Sequence, residues 1–151
     1  MKANVAFKNV LFVLCLLGLF VQSGFGGNSV QMLIGSVANE VNTTSMVFVE
    51  LVQTPGHVFT TKATSAIMGM FVAECKVGTQ GLSLVVQITI DGNVMDPGAV
   101  VLTMNTQYES RSHVAFRGQV PAGQHTITVQ WRVNGGRAYV RNRSLTVWEI
   151  R

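Results

Sequence analysis

The stretch from His125 to Val133 alternates without a break. His125, Ile127, Val129, Trp131 and Val133 share one parity, and Thr126, Thr128, Gln130 and Arg132 share the other. An apolar period of two demands an extended strand with one face buried. The rhythm recurs upstream, where Leu82, Leu84, Val86, Ile88 and Ile90 alternate with Ser83, Val85, Gln87 and Thr89. Further β-forming runs occupy residues 30–38, 46–52, 57–61, 65–74 and 99–105, the apolar 65–74 being long enough for a helix but read as a strand for its Gly69 and β neighbours. Asn42–Ser45, Pro55-Gly56, Lys76–Gly81, Asp91-Gly92 and Asp96-Pro97-Gly98 punctuate them as turns. No segment holds a helical period. Roughly eight to ten short strands at this spacing predict an all-β chain, an antiparallel two-sheet sandwich of jelly-roll type. An immunoglobulin-like sandwich comes second, because the paired cysteines flanking a tryptophan are absent.

The C-terminal third invites a register. With Val120-Pro121-Ala122-Gly123 as a hairpin loop, Phe116 lies opposite Ile127 and Val114 opposite Val129. With Asn134-Gly135 as a tight turn, Trp131 faces Ala138, Val129 faces Val140 and Arg132 faces Arg137. Val114, Phe116, Ile127, Val129 and Trp131 then form one buried face. The side taken by Trp148 stays open, since Leu145 and Val147 lie on the opposite parity from Trp148 and Ile150. An exposed Trp148 is a candidate aromatic contact for a sugar ring or a partner.

The segment from Val120 to Val147, VPAGQHTITVQWRVNGGRAYVRNRSLTV, resembles the closing hairpins of small jelly-roll modules in bacterial secreted proteins and phage tail or fibre proteins. Those modules are similar to the trimeric C1q and tumour-necrosis-factor-like folds. The resemblance spans roughly the last 60 residues and rests on a turn-plus-strand pattern. It implies binding, adhesion or assembly rather than catalysis, and it carries over no functional residue.

A chain of 151 residues holds about one domain. Its start is of another kind. Lys2 and Lys8 precede an apolar run from Val10 to Val21, followed by Gln22-Ser23. A basic start, a short apolar core and small residues after it match a secretory signal peptide. The expected organisation is a signal peptide over 1–23, a Gly/Ser/Asn linker over 24–29 and a sandwich domain over 30–151. The apolar run is too short to span a bilayer comfortably, so no membrane span is expected after cleavage. Cys15 leaves with the signal. Cys75 then stands alone, as a buried small hydrophobe or as a bridge between subunits.

Candidate chemistry is sparse. His57, His113 and His125 fall in no metal-ligand spacing, and HExxH, Gly-x-Ser-x-Gly, CxxC and phosphate-cradling motifs are missing. Asp91 and Asp96 read as turn residues. No cofactor is implied. Charge is more telling. From Arg111 onward seven arginines face one acid, a net of +6, while Gly24–Ser110 carries two lysines against six acids, a net of −4. Arg137, Tyr139, Arg141 and Arg143 share a strand parity, with Arg132 opposite Arg137. These five form a candidate anion- or partner-binding stripe for acidic glycans, a cell-surface ligand or the acidic half of a second subunit. A solvated outer face is the plainer alternative. Nucleic acid fits poorly, because the basic residues are not interleaved with several aromatics. The sequence thus points to a secreted, non-catalytic binding, adhesion or assembly module, with homo-oligomers possible. A secreted hydrolase with a loop-built site is the alternative. Asn42-Thr43-Thr44 and Asn142-Arg143-Ser144 match the glycosylation sequon.

Overall fold

The structure, a computed structural model, describes residues 29–51 and 58–151, with side chains from residue 35. The expected signal peptide, Cys15, Pro55-Gly56 and His57 lie outside the described residues. Eleven strands are described: β1 (Ser29–Val37), β2 (Val41–Thr43), β3 (Val49–Glu50), β4 (Val58–Thr61), β5 (Ser65–Val77), β6 (Leu84–Ile90), β7 (Asn93–Val94), β8 (Val100–Thr103), β9 (Glu109–Val120), β10 (Gly123–Val133) and β11 (Ala138–Ile150). All named pairings are antiparallel. Sheet A runs β1-β11-β5-β9, with β2 also on β11. Sheet B runs β3-β10-β6-β7, with β4 on β10 and β8 on β6.

The two sheets pack face to face as a sandwich. Strand β5 alternates perfectly between buried and half-buried positions over 13 residues, so its odd-numbered side chains face the other sheet. A Cβ added to Gly69 on β5 would lie 3.2 Å from Ile127 Cδ1 and 3.6 Å from Ile88 Cδ1, both from sheet B. The core joins Ile67, Phe71, Leu145 and Val147 from sheet A to Val86, Ile88, Ile127, Val129 and Trp131 from sheet B.

The topology is that of a jelly roll. Pairs β1·β11, β3/β4·β10, β5·β9 and β6·β7/β8 fall alternately in sheets A and B, as in a long antiparallel ribbon folded back and forth over the core. The one tight hairpin expected and found is at Asp91-Gly92, where Ile90 pairs with Asn93 and both turn residues have positive φ, 49° and 76°.

The other two expected hairpins are corners. Strands β9 and β10 lie in different sheets, β9 on β5 and β10 on β6. Val114 therefore pairs with Met70 and Phe116 with Met68, and both side chains point outward, 46% and 44% exposed. His113 and Ala115 take the inner positions instead. Ile127, Val129 and Trp131 are buried as expected. Likewise β10 and β11 lie in opposite sheets, so Trp131 pairs with Val86 and Arg132 with Val85, not with Ala138 and Arg137.

Each corner is stacked on a second one. At one end, Gly78 N donates to Arg137 O at 2.7 Å and Ser83 N donates to Asn134 Oδ1 at 2.7 Å, joining the β5–β6 and β10–β11 connections. Asn134-Gly135 serves this arch rather than a hairpin. Gly136 sits at φ 59°, which favours glycine, and a Cβ there would come within 2.6 Å of Leu82 Cδ1, so that side chain would have to shift. The run at 46–52 yields only the short β3, and Val41–Thr43 pairs with β11 where a turn was expected.

Sheet assignment makes a sharp prediction. In dilute protein, Ile127→Ala should cost about 2–5 kcal/mol, while Phe116→Ala should cost about 1 kcal/mol or less. Equal shifts in denaturant melts would mean that β9 does not turn Phe116 to the outside.

Candidate functional site

A β-bulge breaks the expected arginine stripe. Arg141 and Ser144 are three positions apart on β11, but their β5 partners Glu74 and Val72 are only two apart. Asn142 absorbs the extra residue with φ 46°, a conformation asparagine tolerates better than most. The parity of β11 inverts there. Arg143, expected outward, is 0% exposed and donates from a terminal nitrogen to Asn39 O at 2.7 Å. Arg132 lies in sheet B, its guanidinium 5.2 Å from the Phe48 ring centre. Arg137 is exposed in the β10–β11 arch. Only Tyr139 and Arg141 remain together on the outer face of sheet A.

There they join residues that no local pattern brings near. Asn42, Tyr139 and Lys76 are cross-strand neighbours on β2, β11 and β5. The β5–β9 register, carried one residue past Cys75↔Glu109, sets Tyr108 beside Lys76. The Lys76 ammonium lies 4.5 Å from the Tyr108 ring centre and 5.1 Å from that of Tyr139. Arg141 stacks 3.9 Å from the Tyr108 ring centre and donates to Glu74 at 2.8 Å. Hydrogen bonds from Arg141 and then Asn142 hold the Glu74 carboxyl below its ordinary range. The Tyr108 hydroxyl donates to Glu40. Burial, reinforced by Glu40, pushes that phenol up to about 12, so it stays protonated as a donor.

Beyond this polar end, the outer face of sheet A becomes apolar. Trp148, Met68 and Phe116 form one cross-strand row on β11, β5 and β9, and Thr146, Met70 and Val114 form the next. Ser144, Val72 and Ser112 follow, and Ile150 pairs with Ala66 at the far end. Trp148, the candidate aromatic contact, is half-buried on this face rather than in the core. None of these side chains is charged.

A third cluster looks catalytic at first sight. His125 Nδ1 lies 2.7 Å from Asp91 Oδ2, and His125 Nε2 lies 3.3 Å from Thr61 Oγ1. Yet Nε2 is also 2.9 Å from Pro121 O, and Thr61 Oγ1 donates to that same carbonyl at 2.6 Å. A carboxylate and a carbonyl both ask the ring to donate, so the ring is arranged as an imidazolium. Thr61 is 2% exposed and its proton is already given to a carbonyl. The arrangement locks the β4–β5 corner to the β9–β10 corner and does not present a nucleophile. Asp91 supports it further by accepting from Thr126 N at 2.8 Å.

Other titratable groups are passive. Cys75 is buried, and burial pushes its thiol up to about 12, so it packs as a small hydrophobe. Among the described residues no three His, Cys, Asp or Glu side chains are placed to share a metal, and no helix is long and apolar enough to cross a membrane. An open cleft of about 540 Å³ lies beside the Tyr108 loop, lined by Gln80, Met104, Asn105, Thr106, Glu109 and Arg111.

No protein family matches the sequence, and no curated protein does. Solved structures of similar shape are found. A carbohydrate-binding module from Cellvibrio mixtus lichenase 5A, in complex with cellotriose, aligns with a TM-score of 0.40 and 11% identity over 80% of this chain and 95% of that one. The Eiger TNF of S. frugiperda gives 0.45 and 10% over 81% and 94%. The VP2 protein of infectious bursal disease virus gives 0.49 and 10% over 82% of this chain, which spans only 33% of VP2. At these identities the likeness is one of β-sandwich architecture alone. The closing segment, expected to form hairpins, forms corners between the sheets.

The corner lock predicts a pH signature. Asp91 raises the pKa of His125, so the stability His125 adds is full below about 6.5 and is lost as pH rises through the folded value. Hydrogen bonds from His125 and Thr126 outweigh burial and lower the pKa of Asp91, so its share is present above about 3.9 and is lost as pH falls through the folded value. Burial lowers the pKa of His113 and so works the other way, removing stability as pH falls. Comparing wild type with Asp91→Asn cancels that contribution. The gap in melting temperature between the two should be widest between about pH 4 and 6.5 and should narrow at pH 8.5. A gap independent of pH would leave the lock without its imidazolium.

Proposed function

We propose that this chain is a secreted, non-catalytic module that works by contact, and that its outer sheet A face assembles with the same face of a second copy. The carrying observation is the row Trp148–Met68–Phe116. A sandwich needs one apolar face per sheet, and sheet A carries apolar rows on its outer face as well. Its inner face is the core, while its outer face keeps Phe116 and Val114 close to half exposed. Contiguous apolar patches of this kind on a soluble domain mark contact surfaces.

Charge and size favour a second copy. From Gly24 onward the counts of +6 and −4 leave a net charge of +2, so copies gain no net charge attraction over most approaches. Among the described side chains, the apolar rows present no charge and can meet without opposing like charges. Four strands about 4.8 Å apart, the longest rising about 3.4 Å per residue over 13 residues, give a face of roughly 800 Å². That equals one partner's share of a standard interface. The apolar rows fill roughly half of it, which suits a reversible rather than an obligate pair. Face-to-face packing of sheets is the geometry already used inside the sandwich.

The test is solution mass against concentration. The wild-type mature chain should show a reversible monomer–dimer equilibrium, and Phe116→Lys, which places a charge within the apolar rows, should weaken it at least tenfold without lowering the melting temperature of dilute protein by more than a few degrees. A wild-type chain that stays monomeric at every accessible concentration contradicts the proposal, as does a Phe116→Lys variant that associates as well as wild type.

A further inference from the structure

The polar end of the same face holds an unusual cation. Lys76 sits on the central strand β5 with Tyr139 on one side and Tyr108 on the other. An ammonium so placed would ordinarily be paired with a carboxylate. Both nearby carboxylates are committed elsewhere, Glu74 to Arg141 at 2.8 Å and Glu40 to the Tyr108 hydroxyl. Among the described residues no acid lies within ion-pair distance of Lys76, and its three N–H donors have no acceptor. The tyrosine rings hold the charge by their π faces and fix the position of the ammonium while leaving its hydrogen-bonding capacity open. Arg137 is exposed one residue before Ala138. A Cβ added to Gly78 would lie 3.6 Å from Tyr139 Cε2 and 3.9 Å from Arg137 Cβ, so Arg137 starts beside the Tyr139 ring. Among the described residues neither cation is ion-paired, and Arg137 leaves the backbone near the Tyr139 ring that Lys76 touches.

The surroundings narrow the ligand. The exposed Asn42 extends the row beyond Tyr139, and the exposed Asn142 directly follows Arg141. Asparagine amides and tyrosine hydroxyls offer both donors and acceptors, the set that sugar hydroxyls require. A bare inorganic anion would use only the cations. We infer that Lys76, held between Tyr108 and Tyr139 and flanked by Arg137, is a binding site for the carboxylate of an acidic sugar, with Asn42 and the Tyr139 hydroxyl meeting the sugar's own hydroxyls. This site narrows the anion-facing stripe expected from the arginines to a different, smaller set in which lysine is central. It rests on the contact-module proposal but not on self-association.

The probe is oligogalacturonate, titrated into the full-length mature protein by calorimetry at low salt, with neutral galactan of similar length and sodium acetate as the two comparison ligands. Oligogalacturonate should bind at least tenfold more tightly than either, and its binding should weaken as salt rises, because exposed charges are screened beyond about 8 Å at physiological ionic strength. Lys76→Met keeps the stem between the rings and removes the charge. It should reduce affinity at least tenfold, while Lys76→Arg retains most of it. Arg137→Gln, in an exposed arch, should weaken binding several-fold with an unaltered melting temperature, and it serves as the second variant if Lys76→Met folds poorly. Equal binding of galactan, or acetate competing on equal terms, overturns the acidic-sugar assignment. Undiminished binding by both Lys76→Met and Arg137→Gln overturns the site. Loss of sugar binding with self-association intact leaves the assembly proposal standing, and the reverse result leaves this site standing.

Discussion

Among the described residues, no long strand finishes its hydrogen bonds with the strand that follows it. Ser29 pairs with Ile150 and Ser65 with Val120, so the backbone ladder of sheet A closes only when the two ends of the ribbon have met. Everything else depends on that constraint. Short connections must carry the chain from one sheet to the other, and two such connections run side by side at each end. Side-chain groups of Thr61, His125 and Asp91 tie one pair of corners together around Pro121 O. Asn134, Ser83 and the close approach of Gly136 to Leu82 tie the other. Buried polar groups in a small core are costly unless their partners are complete. Here the polar cluster around His125 is complete, and it sits where misplacement of a corner would unpair both sheets.

With the ribbon closed, the outer face of sheet A becomes a surface divided by chemistry. Its apolar rows lie toward the ends of β9 and β11, and its tyrosine–cation row lies across the starts of β2 and β11 and the end of β5. Strand β5 links the two, alternating Met68, Met70 and Val72 with the core and then presenting Glu74 and Lys76 along the same line. The apolar rows and the tyrosine–cation row thus share one strand. Such placement holds side chains more firmly than loops do.

The strands themselves were largely legible. Period-two alternation located β6 and β10, Gly69 and the neighbouring strands marked the apolar run of β5, and the positive-φ residues of Asp91-Gly92 marked the hairpin between β6 and β7. Pairing was not legible, because Pro-Ala-Gly and Asn-Gly-Gly serve a sheet-crossing corner as well as a hairpin. The errors are informative. Val114 and Phe116 were placed inside because alternation normally puts the apolar parity in the core, and they lie outside in rows where the outer face of this sheet is apolar too. The bulge at Asn142 did leave a trace, since the apolar parity of Ala138 and Val140 changes before Leu145 and Val147. An asparagine stands between them, and that combination signals an inserted residue in a strand. Lys76 and Tyr108 could not be recognised locally. Their meeting with Tyr139 depends on two registers that join segments 30 to 60 residues apart.

The central claim is that a second copy covers the outer face of sheet A. Iodide quenching of tryptophan emission, followed as the wild-type protein is diluted, tests it most directly. Trp131 is 4% exposed in the core and should stay protected throughout, so any change reports Trp148. Trp148 should be shielded at high concentration and become quenchable on dilution, while in Phe116→Lys it should be quenchable at every concentration. A wild-type Trp148 that iodide reaches equally well at the highest and lowest concentrations would contradict the account.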